Sequence, residues 1–288
     1  MEKNNLKATI LILTIGRDSE LKNLIKDLEK QSYNNFSVVI VYQNEDKNID
    51  NFISKKSLFK IIYTHKQQFT KLLNQTIKNL STDIIIRIDD DVRIYNINFI
   101  HNHIENYKDK NIGAIQGNVL NPNEKPNNSF KTGKFNKTLK IQTHTNYNST
   151  IKQYIECLYG CNFSFRKSVF NTIGGFDENI IGNNYFEETD FGFRILKNNY
   201  KIIFDPKSFL VHLRAPSGGA RIPDKKLWFY YYSHNYAILL KNNFNKLSLV
   251  EGVFVIFSIS ILRSIMNKEL FMYSGLSGYL GGLNKKNI

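Results

Sequence analysis

The sequence is poor in several residue types, and each shortage excludes a class of protein. Its 288 residues include two cysteines, Cys157 and Cys161, which are too few for a disulfide framework or a structural zinc site. It shows no internal repeat, no dense basic block and no helix-turn-helix or RNP-like pattern, which disfavours nucleic-acid binding. With 42% hydrophobic and 22% charged residues, it is neither collagen, coiled coil nor a disordered chain.

Long hydrophobic runs and targeting signals are also lacking. The first apolar run, residues 8–15, leads into Gly16-Arg17-Asp18 rather than a small-residue cleavage site. Near the C-terminus, residues 252–262 carry no charge, but a bilayer-spanning helix needs about 20 residues. We therefore expect a cytosolic protein with reduced cysteines, in which that second run lies in a core or an interface.

Acidic residues are outnumbered by basic ones, 25 against 39, which gives a formal net charge of +14. Such a surplus suits nucleic acid, an anionic membrane surface or phosphorylated substrates. Residues 1–215 carry 30 basic and 22 acidic side chains, a net +8, while the far shorter segment 216–288 carries 9 and 3, a net +6. We predict a domain at 1–215 and a helical, aromatic-rich tail at 216–288.

The first half of the chain alternates two kinds of hydrophobic pattern. Short apolar runs are typical of strands buried on both faces, and apolar residues at helical spacing follow them. The predicted strands are 8–15, 36–42, 60–63 and 83–88, and the predicted helices are 19–31 and 70–80. This alternation predicts an α/β fold with a mostly parallel central sheet flanked by helices, whose ligands lie beyond the carboxyl ends of the strands.

The second half is less regular. Residues 121–149 are polar and aperiodic, which predicts a long loop or a mobile flap near the site. Residues 157–176 are typical of a strand, a turn, a helix and a Gly-Gly turn, followed by a helix at 187–200 and a strand at 209–213. Beyond these, Pro216-Ser-Gly-Gly219 is a predicted hinge.

Two acidic clusters are candidate functional groups. Asp89-Asp90-Asp91 follows a predicted strand, where carboxylates at i and i+2 repel each other unless a cation lies between them, and hard oxygen ligands favour Mg²⁺ or Mn²⁺. The alternative is a solvated acidic turn. The second cluster, Glu187-Glu188-Thr189-Asp190, opens a predicted helix, where the helix dipole favours carboxylates in any case. His212 ends another apolar strand.

Taken in order, these motifs resemble those of the family 2 glycosyltransferases, which have the GT-A nucleotide-sugar fold. The resemblance covers roughly residues 8–215. Its elements are the opening strand and donor loop (8–17), the strand with the DxD motif (84–91), an acceptor-side turn (160–167) with GGFDE (174–178), and the ED-x-D-x-x-x-R helix start (186–191 with Arg194).

The resemblance implies roles for particular residues. Asp91, with Asp89 and His212, binds a divalent metal, Mn²⁺ or Mg²⁺, that bridges the two phosphates of the donor, and Asp89 faces the ribose. The position of the catalytic base is Glu188, with Asp190 in reserve. The nucleotide side comprises Thr14, Gly16, Arg17, Gln43, Asn44, Asn74, Asp89 and Asp90, and the acceptor or donor-sugar side comprises Gly160, Asn162 and Glu187.

Some positions depart from the family pattern. Glu188 stands where Asp is usual, Gln43-Asn44 stands where an acidic pair is usual, and Leu73 stands where Arg is common. The nucleotide, UDP, dTDP or GDP, therefore stays open. The expected function is inverting, metal-dependent transfer of a sugar to a glycan or lipid-linked acceptor in cell-surface polysaccharide synthesis. The alternative is a non-catalytic GT-A protein that binds a glycan or a partner chain.

Three interpretations of the tail stay open. Residues 226–241 are crowded with aromatic side chains next to lysines, a composition that suits a membrane headgroup region. A homo-oligomer surface is the second interpretation. The third is that these aromatic side chains complete the core behind the sheet.

Overall fold

The computed structural model describes residues 5–43, 49–53, 56–65, 68–143, 145–216 and 221–285. The strands are β1 (Ala8–Thr14), β2 (Phe36–Tyr42), β3 (Phe59–Tyr63), β4 (Ile84–Asp89), β5 (Val92–Arg93), β6 (Ile112–Leu120), β7 (Lys134–Asn136), β8 (Ile141–Thr143), β9 (Gln153–Tyr154), β10 (Asn162–Arg166) and β11 (Lys201–His212). The helices are α1 (Asp18–Leu28), α2 (Asp50–Ile53), α3 (Phe69–Lys78), α4 (Phe99–Glu105), α5 (Lys167–Thr172), α6 (Glu187–Lys197), α7 (Lys225–Asn243), α8 (Lys246–Asn267) and α9 (Met272–Leu283).

One large sheet organises the fold, in the order β3-β2-β1-β4-β10-β6-β11-β5, with β9 paired to β11. Strands β3, β2, β1 and β4 are parallel, β10 runs antiparallel to both of its neighbours, and β6 and β11 are again parallel. The predicted α/β fold with a mostly parallel sheet is confirmed. The strands β1, β2 and β4 are almost wholly buried, as their continuous apolar sequences require.

The register of the central strands places polar side chains at one edge of the sheet. Leu13 pairs with Asp89, and Thr14 pairs with Tyr42. The carboxyl ends of β1, β2 and β4 therefore meet, and the acidic triplet follows directly from β4. Such an edge is where open α/β sheets bind ligands.

The sequence analysis did not identify β6 and recognised only the last part of β11. Strand β6 contains two glycines and polar residues that mask its apolar pattern. A Cβ at Gly117 would lie 2.2 Å from both the Asn162 side chain and the Ser208 carbonyl oxygen, so close packing requires glycine. Strand β11 contains Pro206 and a register shift between Asp205 and Phe209, which hide its length from the pattern.

Residues 121–149 differ from the expected loop because they contain the β7–β8 hairpin. Their polar side chains form hydrogen bonds mostly within the segment; for example, Asn127 Nδ2 donates to Asn148 Oδ1 at 2.6 Å. Of the predicted hinge, Ser217 to Gly219 lie outside the described residues.

The C-terminal helices α7, α8 and α9 pack on one another and on α6 through a second hydrophobic core. Several aromatic residues of the segment 226–241, among them Phe229 and Tyr236, are buried there. The aromatic side chains of α7 therefore do complete a core, although the domain division at residue 215 stays a prediction.

The last apolar run lies within a helix that is longer than the uncharged run itself. Residues 252–262 form the centre of α8, which has 22 residues and a mean hydropathy of 1.9 over its most apolar window. The uncharged run is short only because Glu251 and Arg263 bound it. By length and composition alone, α8 is long enough to cross a membrane.

Candidate active site

A cleft of about 490 Å³ opens at the carboxyl edge of the sheet. Its floor comes from the ends of β1, β2 and β4, one wall from the start of α6, and another from the end of β11. The side chains that carry its charge and polarity are Arg17, Gln43, Arg87, Asp89, Asp90, Asp91, Glu187, Glu188, His212, Arg214 and Arg221.

Asp90 holds the acidic turn in place through hydrogen bonds with Thr14 and Arg17. Its carboxylate accepts hydrogen bonds from Thr14 Oγ1 at 2.6 Å and from Arg17 Nη1 at 2.7 Å. Burial raises the pKa of Asp90 to about 6, against the effects of Thr14 and Arg17. The backbone at Gly16 has φ +70°, a left-handed conformation that allows the turn between β1 and α1. Thr14 and Arg17 therefore orient the turn through Asp90.

Asp91 and His212 face each other across the junction of β5 and β11. His212 pairs with Val92 in the sheet, which brings its Nε2 atom to 3.4 Å from Asp91 Oδ1. The other carboxylate oxygen of Asp91 accepts a hydrogen bond from the Ala215 backbone N–H at 2.8 Å. Burial opposes ionisation of Asp91, but His212, the Ala215 N–H and Arg17 together hold its pKa below the ordinary value.

These side chains fit a divalent cation. The ligand atoms of Asp89, Asp91 and His212 all lie within 4.8 Å of one another. His212 Nδ1 is buried and has no hydrogen-bond partner within the described ranges, while Asp91 Oδ1 lies 3.0 Å from Arg17 Nη1 and 3.4 Å from His212 Nε2. Two carboxylates with one imidazole suit Mn²⁺, and carboxylates alone also suit Mg²⁺.

Glu188 lines the same cleft from the first turn of α6. It is half-buried and close to Gly160, where an added Cβ would lie 3.7 Å from Glu188 Oε1 and 3.3 Å from Arg87 Nη2. Burial, reinforced by the neighbouring Glu187 carboxylate, raises the pKa of Glu188 well above the ordinary glutamate value. A carboxyl group with a raised pKa is suited to proton transfer near neutral pH.

Arg87 lies behind Glu188 and forms an ion pair with Glu187; both side chains are buried. The guanidinium lies 4.9 Å from the ring centroid of Phe69 and 5.3 Å from that of Phe163. Planar contact with aromatic rings holds an arginine in one orientation. Glu187, which we had expected on the sugar side, therefore lines the cleft with its carboxylate paired to Arg87.

Asp190 does not face the cleft. Its carboxylate is fully buried, accepts hydrogen bonds from Arg194 Nε at 2.8 Å and from Asn243 Nδ2 at 2.7 Å, and joins α6 to α7. Residues two apart on a helix point about 200° apart, so Glu188 and Asp190 take opposite sides of α6. The structure thus does not support Asp190 as the reserve base.

Two amides expected at the nucleotide and sugar sides are buried structural groups. Asn74 Nδ2 donates to the Phe176 carbonyl oxygen at 2.8 Å, and Asn74 Oδ1 accepts from the Phe176 N–H at 2.9 Å, which braces the Gly-Gly turn. Asn162 Nδ2 donates to the carbonyl oxygens of Asn118 and Ser208, both at 2.9 Å. Gln43 and Gly160 do line the cleft, while Asn44 lies outside the described residues.

A second cavity of about 250 Å³, which the sequence analysis did not identify, adjoins the first. The two share Tyr159, Tyr185, Glu188 and Arg214. Tyr159 stacks on Tyr147, with ring centroids 5.4 Å apart. The polar segment predicted as a loop supplies most of the remaining wall, namely Asn121, Glu124, Gln142, Thr145, Asn146 and Asn148.

Comparison with solved structures defines the class of protein. The mannosyltransferase PcManGT from Pyrobaculum calidifontis, in complex with GDP-Man and Mn²⁺, has a TM-score of 0.59 and 12% identity, over 98% of this chain and 88% of that one. S. aureus TarS 1-349 has a TM-score of 0.64 and 17% identity, over 97% of this chain and 81% of that one. GalNAc-T7 with UDP, GalNAc and Mn²⁺ has a TM-score of 0.63 and 14% identity, over 95% of this chain and 56% of that one.

At these identities the likeness shows the fold, which is the GT-A fold of glycosyltransferases, as the sequence motifs predicted. The family model described as glycosyl transferase family 2 matches residues 9–174, more than half of the chain. The chain therefore belongs to the family 2 glycosyltransferases. No curated protein matches it.

Proposed function

We propose that this glycosyltransferase is an inverting, divalent-metal-dependent enzyme. It takes a sugar from a nucleotide-diphosphate donor and transfers it to a hydroxyl of a glycan or lipid-linked acceptor, in cell-surface polysaccharide synthesis. The observation that carries the proposal is that two groups line one cleft: the Asp89, Asp91 and His212 cluster, and Glu188 with its raised pKa.

On the donor side, Asp89, Asp91 and His212 would hold Mn²⁺ or Mg²⁺. When bound, the cation neutralises charge on the diphosphate leaving group. Arg17, fixed against Asp90, keeps positive charge beside the acidic turn. PcManGT and GalNAc-T7 are described with Mn²⁺ together with GDP-Man or UDP, which supports a nucleotide donor and this metal. The amide of Gln43 donates and accepts hydrogen bonds, as recognition of UDP, dTDP or GDP requires.

On the acceptor side, Glu188 is the proposed base. Its carboxylate removes the proton from the acceptor hydroxyl as that oxygen attacks the anomeric carbon from the face opposite the diphosphate. Glu188 lines both cavities, which supports placing the acceptor in the second cavity and the donor in the first. The Arg87–Glu187 ion pair fixes the start of α6 and so orients Glu188.

The proposal is tested by incubating the protein with a panel of UDP-, dTDP- and GDP-sugars in Mn²⁺ and measuring release of the nucleoside diphosphate. We expect turnover with one donor class that EDTA abolishes and Mn²⁺ restores. Proton NMR of the first transfer product should show an anomeric configuration opposite to that of the donor. Retention of configuration would contradict the role of Glu188, and failure to bind any nucleotide would favour a non-catalytic binding protein.

A further inference from the structure

The outer surface of α8 is apolar, which is unusual for a helix packed against a folded domain. Six large apolar side chains at spacings of three or four residues form one stripe, the α8 stripe, and are between 42% and 71% exposed: Leu247, Val250, Phe254, Phe257, Ile261 and Ile265. Only 17% of the most apolar window of the helix is buried. Contiguous apolar surface of this kind marks an interaction site.

The exposed area continues beyond α8. Leu262 and Met266 flank the stripe, and Leu270, in the turn before α9, and Tyr273, in the first turn of α9, are 81% and 84% exposed. Helix α9 also exposes Leu280. The apolar surface thus extends over two adjacent helices and the turn between them.

Three of the four buried residues of α8 are small, and Leu249, Val253, Val255 and Ile259 are partly buried against the second core. The four buried residues are Ser248, Gly252, Ile256 and Ser260. A Cβ at Gly252 would lie 2.2 Å from the Tyr279 hydroxyl, and a Cβ at Gly275 of α9 would lie 2.4 Å from Ser260 Oγ, so small residues line the contact between α8 and α9. In water, an amphipathic helix buries its apolar side, whereas helices in lipid pack through small residues and turn their apolar side outward.

Helix α9 also packs on α7 through small residues, namely glycines of α9 that face the backbone of α7. A Cβ at Gly278 would lie 2.2 Å from the Tyr230 carbonyl oxygen, and a Cβ at Gly282 would lie 2.2 Å from the His234 carbonyl oxygen. The two helix backbones are therefore in direct contact. This second pair of helices shows that close packing through small residues is a property of the whole tail.

The net charge of this part of the chain is complementary to anionic lipid. The segment 216–288 carries a net +6, Lys246 and Lys268 are exposed at the two ends of α8, and Glu269 beside Lys268 forms an ion pair with Lys226 at 3.6 Å. Arg263 lies with its guanidinium 4.7 Å from the Trp228 ring centroid, a cation and an indole together at the edge of the apolar surface. Basic residues beside an apolar helix face are attracted to anionic headgroups, and tryptophan is enriched at that depth.

We propose that the outer face of α8 and the start of α9 insert into an anionic lipid surface and hold the enzyme on a membrane. Helix α8 lies along this surface rather than crossing it, because the protein holds it along its length. Glu251 forms an ion pair with Lys140 at 3.2 Å, and Lys225 Nζ donates to Asn267 Oδ1 at 2.9 Å near the C-terminal end.

The experiment is flotation of the full chain with vesicles of phosphatidylcholine, with and without phosphatidylglycerol. Wild type should float with the anionic vesicles, and Phe254→Asp with Phe257→Asp should weaken partitioning about a hundredfold, since each change removes a large exposed apolar side chain that lipid would cover. The control is Phe130→Asp, which alters a phenylalanine more exposed than either of these two, in a different part of the chain, and should float like wild type. Lys268→Gln should weaken binding about fivefold at low salt.

Several results would overturn the proposal. One is wild type that remains with the soluble fraction in anionic vesicles, and another is a double variant that floats unchanged. A dimer in sedimentation velocity that the double variant abolishes, without any flotation of wild type, would assign the face to a second copy of the chain. Retention after alkaline carbonate extraction would show that α8 spans the bilayer instead of lying on it. Unchanged thermal unfolding and donor hydrolysis in the double variant confirm that it is folded.

Discussion

Two of the three carboxylates of α6, Glu188 and Asp190, should respond to neutralisation in opposite ways. Asp190→Asn removes the charge that compensates Arg194 inside the protein, where Asp190 is fully buried. Breaking a buried ion pair typically costs about 3–5 kcal/mol, which for a chain of this size lowers the melting temperature by roughly 6 °C or more. Glu188→Gln replaces a carboxyl group whose raised pKa already favours the neutral form, so we expect stability within about 1 kcal/mol of wild type.

Transfer activity should be lost in Glu188→Gln and largely kept in Asp190→Asn. Glu188→Gln should keep donor binding and lose transfer by about 10²–10⁴-fold, the usual contribution of a general base. Asp190→Asn, measured well below its melting temperature, should keep most of its transfer rate per folded molecule. The assay pairs scanning fluorimetry with initial transfer rates in Mn²⁺. An Asp190→Asn protein as stable as wild type but inactive, beside an active Glu188→Gln protein, would refute this assignment.

Three further predictions follow from the same contacts. Because the native pKa of Glu188 is raised, its contribution to metal-free stability is present below the ordinary glutamate pKa and falls as pH rises above it, whereas kcat/KM rises over that range. Glu188→Gln should flatten both pH profiles. A transfer rate that does not fall at acidic pH in wild type would contradict the role of Glu188. Thr14→Val removes a hydrogen bond to buried Asp90 and should lower the free energy of unfolding by about 1–3 kcal/mol in denaturant titrations. Calorimetry should also show weaker Mn²⁺ binding. An unchanged free energy of unfolding and unchanged Mn²⁺ affinity would show that Asp90 does not need this donor. Gly117→Ala should destabilise the protein by more than about 1 kcal/mol, since its Cβ meets the Ser208 carbonyl oxygen, and a wild-type melting curve would contradict that packing.

The parts of the site that the sequence predicted are those encoded by local pattern. The apolar run before Asp89 predicted β4 and its carboxyl end, and the order of acidic motifs along the chain indicated the family. The periodicity of α6 also predicted that only one of Glu188 and Asp190 could face the cleft. Residues close together in sequence were sufficient for each of these conclusions.

The parts that the sequence did not predict depend on long-range packing. Asn74 and Asn162 are polar residues near motif positions, and nothing local shows that backbone groups of distant segments satisfy their amides. The role of Arg87 was missed for the same reason, since its partner Glu187 is 100 residues away. For α8, counting charges identified the apolar run, but only the packed helices show that its small residues face inward.

The central claim is that Asp89, Asp91 and His212 hold the divalent cation that the donor diphosphate requires. The most direct measurement is calorimetric titration of UDP, dTDP and GDP into wild type and Asp91→Asn, each with Mn²⁺ and with EDTA. Asp109→Asn, an exposed acidic residue outside the cleft lining, is the matched control. We predict that one nucleotide binds wild type and the control only with Mn²⁺, and that Asp91→Asn loses this binding although a cooperative melting transition above the assay temperature shows that it is folded. Equal binding in EDTA, or full Mn²⁺-dependent binding by Asp91→Asn, would contradict the claim.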